Sequence, residues 1–126
     1  MARTGLPALL FLVSGTLHEV RPALFLAIVP PQFGPAHALV AISGAAELAG
    51  GLGLLLPATR RAAALGLIAL LVAVWPANWY MAFAASHFAA VATAWVIWLR
   101  VPLQLPLIWW VALALRRSAP HARSVP

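Results

Sequence analysis

The sequence predicts an all-α integral membrane protein, a four-helix bundle of kinked helices with both termini in the cytoplasm. Three observations predict it. Of the 126 residues, 64% are hydrophobic and 8% charged, and mean hydropathy is +0.98. A soluble domain is roughly 45–50% apolar and about 25% charged, so water is excluded as the main solvent. The apolar residues fall into runs close to the ~20 residues that a helix needs to cross a bilayer, separated by proline and arginine. Finally, eight basic residues against two acidic ones give a net charge of +6. In so apolar a chain this excess sets membrane orientation rather than nucleic-acid binding. Cysteine is absent, so disulfide and thiol redox chemistry are excluded for this polypeptide.

The first predicted span runs from Leu6 to Val29, interrupted by His18, Glu19, Arg21 and Pro22. Pro30, Pro31 and Pro35 close it, because proline removes a donor and disfavours helix in the residue before it. Whether residues 23–29 finish this span or lie along the outer surface stays open at this point. The second span runs from Ala36 to Leu56 and stops at Pro57, before a polar turn at Arg60 and Arg61. The third starts near Ala62 and continues to Ala85, with Pro76 inside it. The stretch from Phe88 to Leu115 is too long for one untilted span and divides into a short outer segment and a span from about Trp95 to Leu115. Arg116 and Arg117 end it. A single membrane domain thus covers residues 1–117, and residues 118–126 form a polar tail expected to be disordered. Arg3 before an apolar run suggests a secretory signal, but the run leads into GTLHEVRP rather than a small-residue exit, and is expected to remain as the first helix.

With four spans, Arg3, Arg60, Arg61, Arg116, Arg117 and Arg123 share one side, and Arg21 and Arg100 the other. Positive residues favour the cytoplasm, so the chain is expected as a multi-pass protein with both ends inside. Within the second span, Ala46 and Gly50, and Ala49 and Gly53, make a small-residue face suited to close helix packing. No strand precedes these glycines, which argues against a dinucleotide-binding loop. Trp75, Trp79 and Tyr80 towards one interface, and Trp109 and Trp110 towards the other, suit aromatic belts. Pro76 frees the carbonyl of Val72, while Pro102 and Pro106 free those of Trp98 and Pro102. Carbonyls freed inside a bilayer must find partners or line a cavity.

Following each span to its outer half brings the polar groups together. His18 and Arg21 come from the first, Ser43 and Glu47 from the second, Asn78 from the third, and Arg100 and Gln104 from the fourth. These seven residues are the candidate ligand-binding site, and the inner half is almost purely Leu, Ala, Val and Ile. A charge at the bilayer centre costs ~2.5–3.5 kcal/mol, so an intramembrane ionisable residue normally faces the interior and has a partner. Glu47 is expected to pair with one of the two arginines, leaving the other arginine, His18, Asn78 and Gln104 for a ligand. Glu19 is expected to be exposed, His37 and His121 to lie at the surface, and His87 at the rim. Neither haem nor a metal is expected. There is no C-x-x-C-H, no H-E-x-x-H and no aspartate for a Ser-His-Asp arrangement.

H-x-x-R-P at His18, Arg21 and Pro22, P-P at Pro30 and Pro31, S-G-x-x-E at Ser43, Gly44 and Glu47, P-A-N from Pro76 to Asn78, and L-R-x-P-L-Q from Leu99 to Gln104 occur in this order. In these motifs the chain, up to about Arg117, resembles the DoxX-like family of small bacterial integral membrane proteins. The resemblance implies four transmembrane helices in the bacterial inner (plasma) membrane. It also implies a redox-linked setting, since the family is named after a subunit tied to thiosulfate oxidation with quinone as acceptor. Relatives tied to thiol redox carry cysteines and this chain has none. The functional expectation is therefore a polar pocket in the periplasmic half that binds a small quinone-like or other amphipathic ligand, with His18 or Glu47 exchanging protons. Two readings from other classes stand beside it: a non-catalytic subunit whose glycine face docks a membrane or redox partner protein or a second copy, and a small-solute or proton carrier loading at Glu47.

Overall fold

A computed structural model describes residues 2–88 and 93–118, so the polar tail beyond Ser118 lies outside the described residues. Among the described residues there are five helices and no strand: α1 (Ala2–Val20), α2 (Ala23–Leu26), α3 (Ala36–Leu55), α4 (Arg60–Phe83) and α5 (Ala94–Ala112). Single 3₁₀ turns lie at Pro31–Phe33, Ala85–Phe88 and Leu115–Ser118. Helices α3, α4 and α5 are long and apolar enough to cross a membrane, and Thr4–Val20 of α1 is a shorter apolar helix. Leu9, Ile42, Leu52, Leu65, Val72 and Leu103 project outward, a surface that hydrocarbon accepts and water does not.

Between α1 and α3 the chain resolves the alternatives left open for residues 23–29 in the predicted span Leu6–Val29: they do not continue α1. Proline at position 22 disfavours helical geometry in Arg21, and α1 ends at Val20 with Arg21 N–H bonded to the Leu17 carbonyl at 2.8 Å. Pro22 starts the single turn α2, with Phe25 and Leu26 N–H both on its carbonyl at 2.9 Å. The chain then turns through Pro30 and Pro31 to Gly34, whose φ of +98° is strained for any residue with a Cβ. Pro35 follows as the N-cap of α3.

Successive long helices pack antiparallel, α1 on α3, α3 on α4 and α4 on α5, with a slighter contact between α1 and α5. Glycine sets the first two seams. A Cβ on Gly15 would stand 2.8 Å from the carbonyl oxygen of Gly44, and one on Gly51 would stand 3.0 Å from that of Ala8. On another face of α3, Gly50 and Gly53 lie against Leu67 and Ala63 of α4. The small-residue face foreseen at Ala46, Ala49, Gly50 and Gly53 is therefore narrower than expected. Its glycines are consumed inside the chain, Ala49 is exposed, and the second face towards α1 was not foreseen.

The turn from α3 to α4 is tied from within. Arg60 Nε donates to the Leu54 carbonyl at 3.0 Å, and Thr59 Oγ1 to that of Gly53 at 3.1 Å. A guanidinium at the C-terminus of α3 complements the negative end of that helix. At this Arg60 end, α1, α3, α4 and α5 share one core of Ala8, Phe11, Leu54, Ala64, Leu67, Leu71 and Val111, with Ala114 just beyond α5. At the other end, the His18 end, Met81 and Ala82 of α4 pack with Ile97 and Val101 of α5 and with Ile28. There, residues between Phe25 and Phe33 line a cavity together with residues of α1, α3 and α4.

Candidate functional site

A cavity of about 340 Å³ lies at the His18 end, lined by residues of α1, the 25–33 segment, α3 and α4. Its walls are hydrocarbon and aromatic, including Phe25, Ile28, Phe33, Val40, Leu70 and Val74. His18 and Ser43 supply the polar side chains that line it. The imidazole of His18 stacks on Phe25, ring centroids 3.6 Å apart and planes 18° from parallel. The ring is placed because His18 sits in the last turn of α1 and Pro22 folds α2 back over it.

Behind His18 lies Glu47. His18 Nδ1 is 2.9 Å from the Ser14 carbonyl oxygen and 3.4 Å from Glu47 Oε2, and the two side chains are 12% and 14% exposed. Glu47 Oε2 is buried and has no hydrogen-bond partner. The pair exists because Gly44 brings α3 against α1. A Cβ there would stand 2.6 Å from the His18 Cβ and 2.6 Å from Glu19 Oε1. The Ser14 carbonyl holds the ring in one orientation, and the nearly buried Glu47 carboxyl lies against its Nδ1 side.

A second polar group lies between α4 and α5. Asn78 Nδ2 donates to Gln104 Oε1 at 3.2 Å, and Gln104 Nε2 donates to the Leu71 carbonyl at 2.8 Å. Both side chains are buried. Trp75 Nε1 donates to the Val101 carbonyl at 3.1 Å across the same seam. This cluster is neutral and closed on itself, as buried polar groups in an apolar medium must be.

The seven expected residues therefore do not form one chamber. His18 and Ser43 reach the cavity, Glu47 stands behind His18, and Asn78 pairs with Gln104 on another seam. Arg21 and Arg100 are exposed, so the expected arginine partner of Glu47 is replaced by His18. Arg21 lies just past the end of α1 at Val20 and is exposed. Glu19 is exposed, as expected, and so are His37 and His87, whereas His121 lies outside the described residues. Sequence reasoning missed Phe25, the Ser14 carbonyl and the Trp75 indole. The i−4 spacing of Ser14 from His18 was the one readable signal, and the pairing of Trp75 with Val101 has none. Among the described residues, no three of His, Asp and Glu stand together as a metal ion would need.

Apolar helices sealed by glycine seams and neutral amide bonds, around a cavity with a His–Glu pair at its wall, define a helical class suited to a bilayer. Within that class, residues 7–116 match the family described as Domain of unknown function (DUF8561), and the chain belongs to it. No curated protein and no solved structure matches the chain.

Proposed function

We propose that the chain is a four-span protein of the bacterial inner membrane, a relative of the DoxX-like proteins, whose cavity at the His18 end binds a small amphipathic ligand in a redox-linked membrane process. The two termini are cytoplasmic, because Arg60, Arg61 and Arg116 gather at one end of the helices. One observation carries the reading: a cavity of about 340 Å³, walled by hydrocarbon, with a nearly buried histidine–carboxylate pair at one side. Ligand sites combine mostly apolar walls with a few placed polar groups, and ionisable residues inside a membrane are kept where they act.

A quinone-type headgroup is the most concrete candidate. Its ring would lie beside Phe25 and Val74, where the Ser43 hydroxyl can donate to an oxygen in either redox state and His18 can accept from the hydroxyl of the reduced form. Such a group would supply electron-transfer chemistry, and the chain's own part is to bind it, exclude water and hold a proton at His18. Titration of a short-chain quinone analogue, in its oxidised and its reduced hydroquinone form, into the protein in lipid nanodiscs tests this. Saturable binding is expected, and Ala77→Trp, which fills the cavity from α4, should abolish it. Absence of saturable binding, or binding indifferent to Ala77→Trp, overturns the reading. Docking of a partner through the glycines of α3 is the weaker alternative, since Gly50 and Gly53 already hold α4 and Gly44 and Gly51 hold α1.

A further inference from the structure

This step rests on the reading of the cavity as a binding site and narrows the chemistry of its occupant. His18 Nδ1 lies 2.9 Å from the carbonyl oxygen of Ser14. A carbonyl oxygen only accepts, so the hydrogen of this bond belongs to Nδ1. In the neutral ring, Nε2 then carries a lone pair and acts as an acceptor. Glu47 Oε2, with no hydrogen-bond partner, stands 3.4 Å from the same Nδ1. A negative charge on the Nδ1 side of the ring favours the hydrogen on that nitrogen and leaves the lone pair on Nε2. Nε2 itself has no protein partner among the described hydrogen bonds. One face of the ring is covered by Phe25, which leaves the ring edge as the polar part that His18 offers to the cavity.

We infer that the cavity takes an apolar molecule bearing a hydroxyl group, which donates its hydrogen to His18 Nε2. Phenols, hydroquinones and terpenoid or long-chain alcohols belong to this class. An ether, ester, ketone or quinone carbonyl brings only lone pairs and meets another lone pair at Nε2. A carboxylate meets the charge of Glu47 behind the ring. Of the two states of a quinone-type ligand, the hydroxyl form is therefore the one His18 retains. Ser43, the other polar side chain on the cavity wall, has a hydroxyl that can donate to the ligand's oxygen.

The test uses the full chain in lipid nanodiscs with nitrogen-15 histidine, the His18 resonances being assigned by their loss in His18→Gln. Three probes share one apolar body: para-butylphenol, its methyl ether para-butylanisole, and the ketone para-butylacetophenone. The phenol should bind about tenfold more tightly than the ether, the factor that one neutral hydrogen bond supplies. It should also move the Nε2 resonance, which the ether leaves in place. In His18→Phe, which keeps an aromatic ring against Phe25, the phenol's advantage should vanish while the ether binds as before. Equal binding of phenol and ether, or tightest binding of the ketone, overturns the inference and leaves the cavity a binding site. If none of the three binds saturably, the reading of the cavity falls with it.

Discussion

The seam between α1 and α3 and the seam between α4 and α5 both carry polar side chains among apolar helices, and they treat them in opposite ways. On the α4–α5 side, Asn78, Gln104 and Trp75 are neutral, and each has a named hydrogen-bond partner: another amide or a backbone carbonyl of the facing helix. On the α1–α3 side, His18 and Glu47 are ionisable, and one carboxylate oxygen is buried without a donor. The first arrangement is what stability in hydrocarbon requires. The second leaves a buried acceptor unsatisfied beside a cavity, which is unfavourable for stability and is the feature on which the proposed binding site rests. The comparison teaches that polarity alone does not single out the proposed site; what distinguishes it is an ionisable pair whose bonding is incomplete.

The largest expected effect breaks the seam that holds the ionisable pair. Gly15→Val places a side chain 2.8 Å from one backbone atom of α3 and 3.0 Å from another, and backbone cannot give way as a side-chain tip can. The helices must separate, at about 3 kcal/mol, the upper part of the usual range for overpacking. Thermal unfolding in detergent should show a large drop. Gly66→Ala is the control, because a Cβ there meets nothing within 4 Å. It should be neutral or stabilising by up to ~1 kcal/mol. Similar losses in both variants would show that glycine acts through helix propensity and not through the closeness of α1 and α3.

The next effect tests the closed seam. Gln104→Leu strands the Asn78 amide and removes the donor to the Leu71 carbonyl, at about 1–2 kcal/mol. Adding Asn78→Leu removes the stranded partner, so the double variant should be more stable than the sum of the single losses implies, a coupling of roughly 0.5–1 kcal/mol. A strictly additive pair, measured by the same melts, would mean that the 3.2 Å contact between the amides contributes nothing.

Much of the fold was legible because it rests on period and punctuation. Pro57 with Arg60 and Arg61 located the α3–α4 turn, and the ends of α3, α4 and α5 fell within a few residues of expectation. The site was half legible. Depth along a helix is readable from sequence, and it placed His18, Ser43, Asn78 and Gln104 towards one end. Rotation about the helix axis is not readable when all faces are apolar, since no polar stripe marks the outside. That is why Asn78 and Gln104 were assigned to the same chamber as His18, and why Arg100 was placed inside. The break after Val20 was only half legible. Pro22 was visible, but the return of Phe25 onto His18 depends on tertiary packing that no local signal encodes.

The smallest expected effect is the one that decides whether the two seams differ in kind. Glu47→Gln preserves the shape of the side chain and removes its charge. Because Oε2 has no hydrogen-bond partner to lose, and the amide can turn its own oxygen towards His18 Nδ1, stability should change by no more than ~0.5 kcal/mol. The same variant should weaken phenol binding at the cavity severalfold, because the negative charge 3.4 Å from Nδ1, which favours a donor approaching Nε2, is removed. A closed structural seam has the reverse profile, as Gln104→Leu should show: stability falls and the cavity is indifferent. If Glu47→Gln melts as early as Gln104→Leu and leaves binding untouched, the His18–Glu47 pair is a second polar staple, and the cavity beside it loses its chemistry.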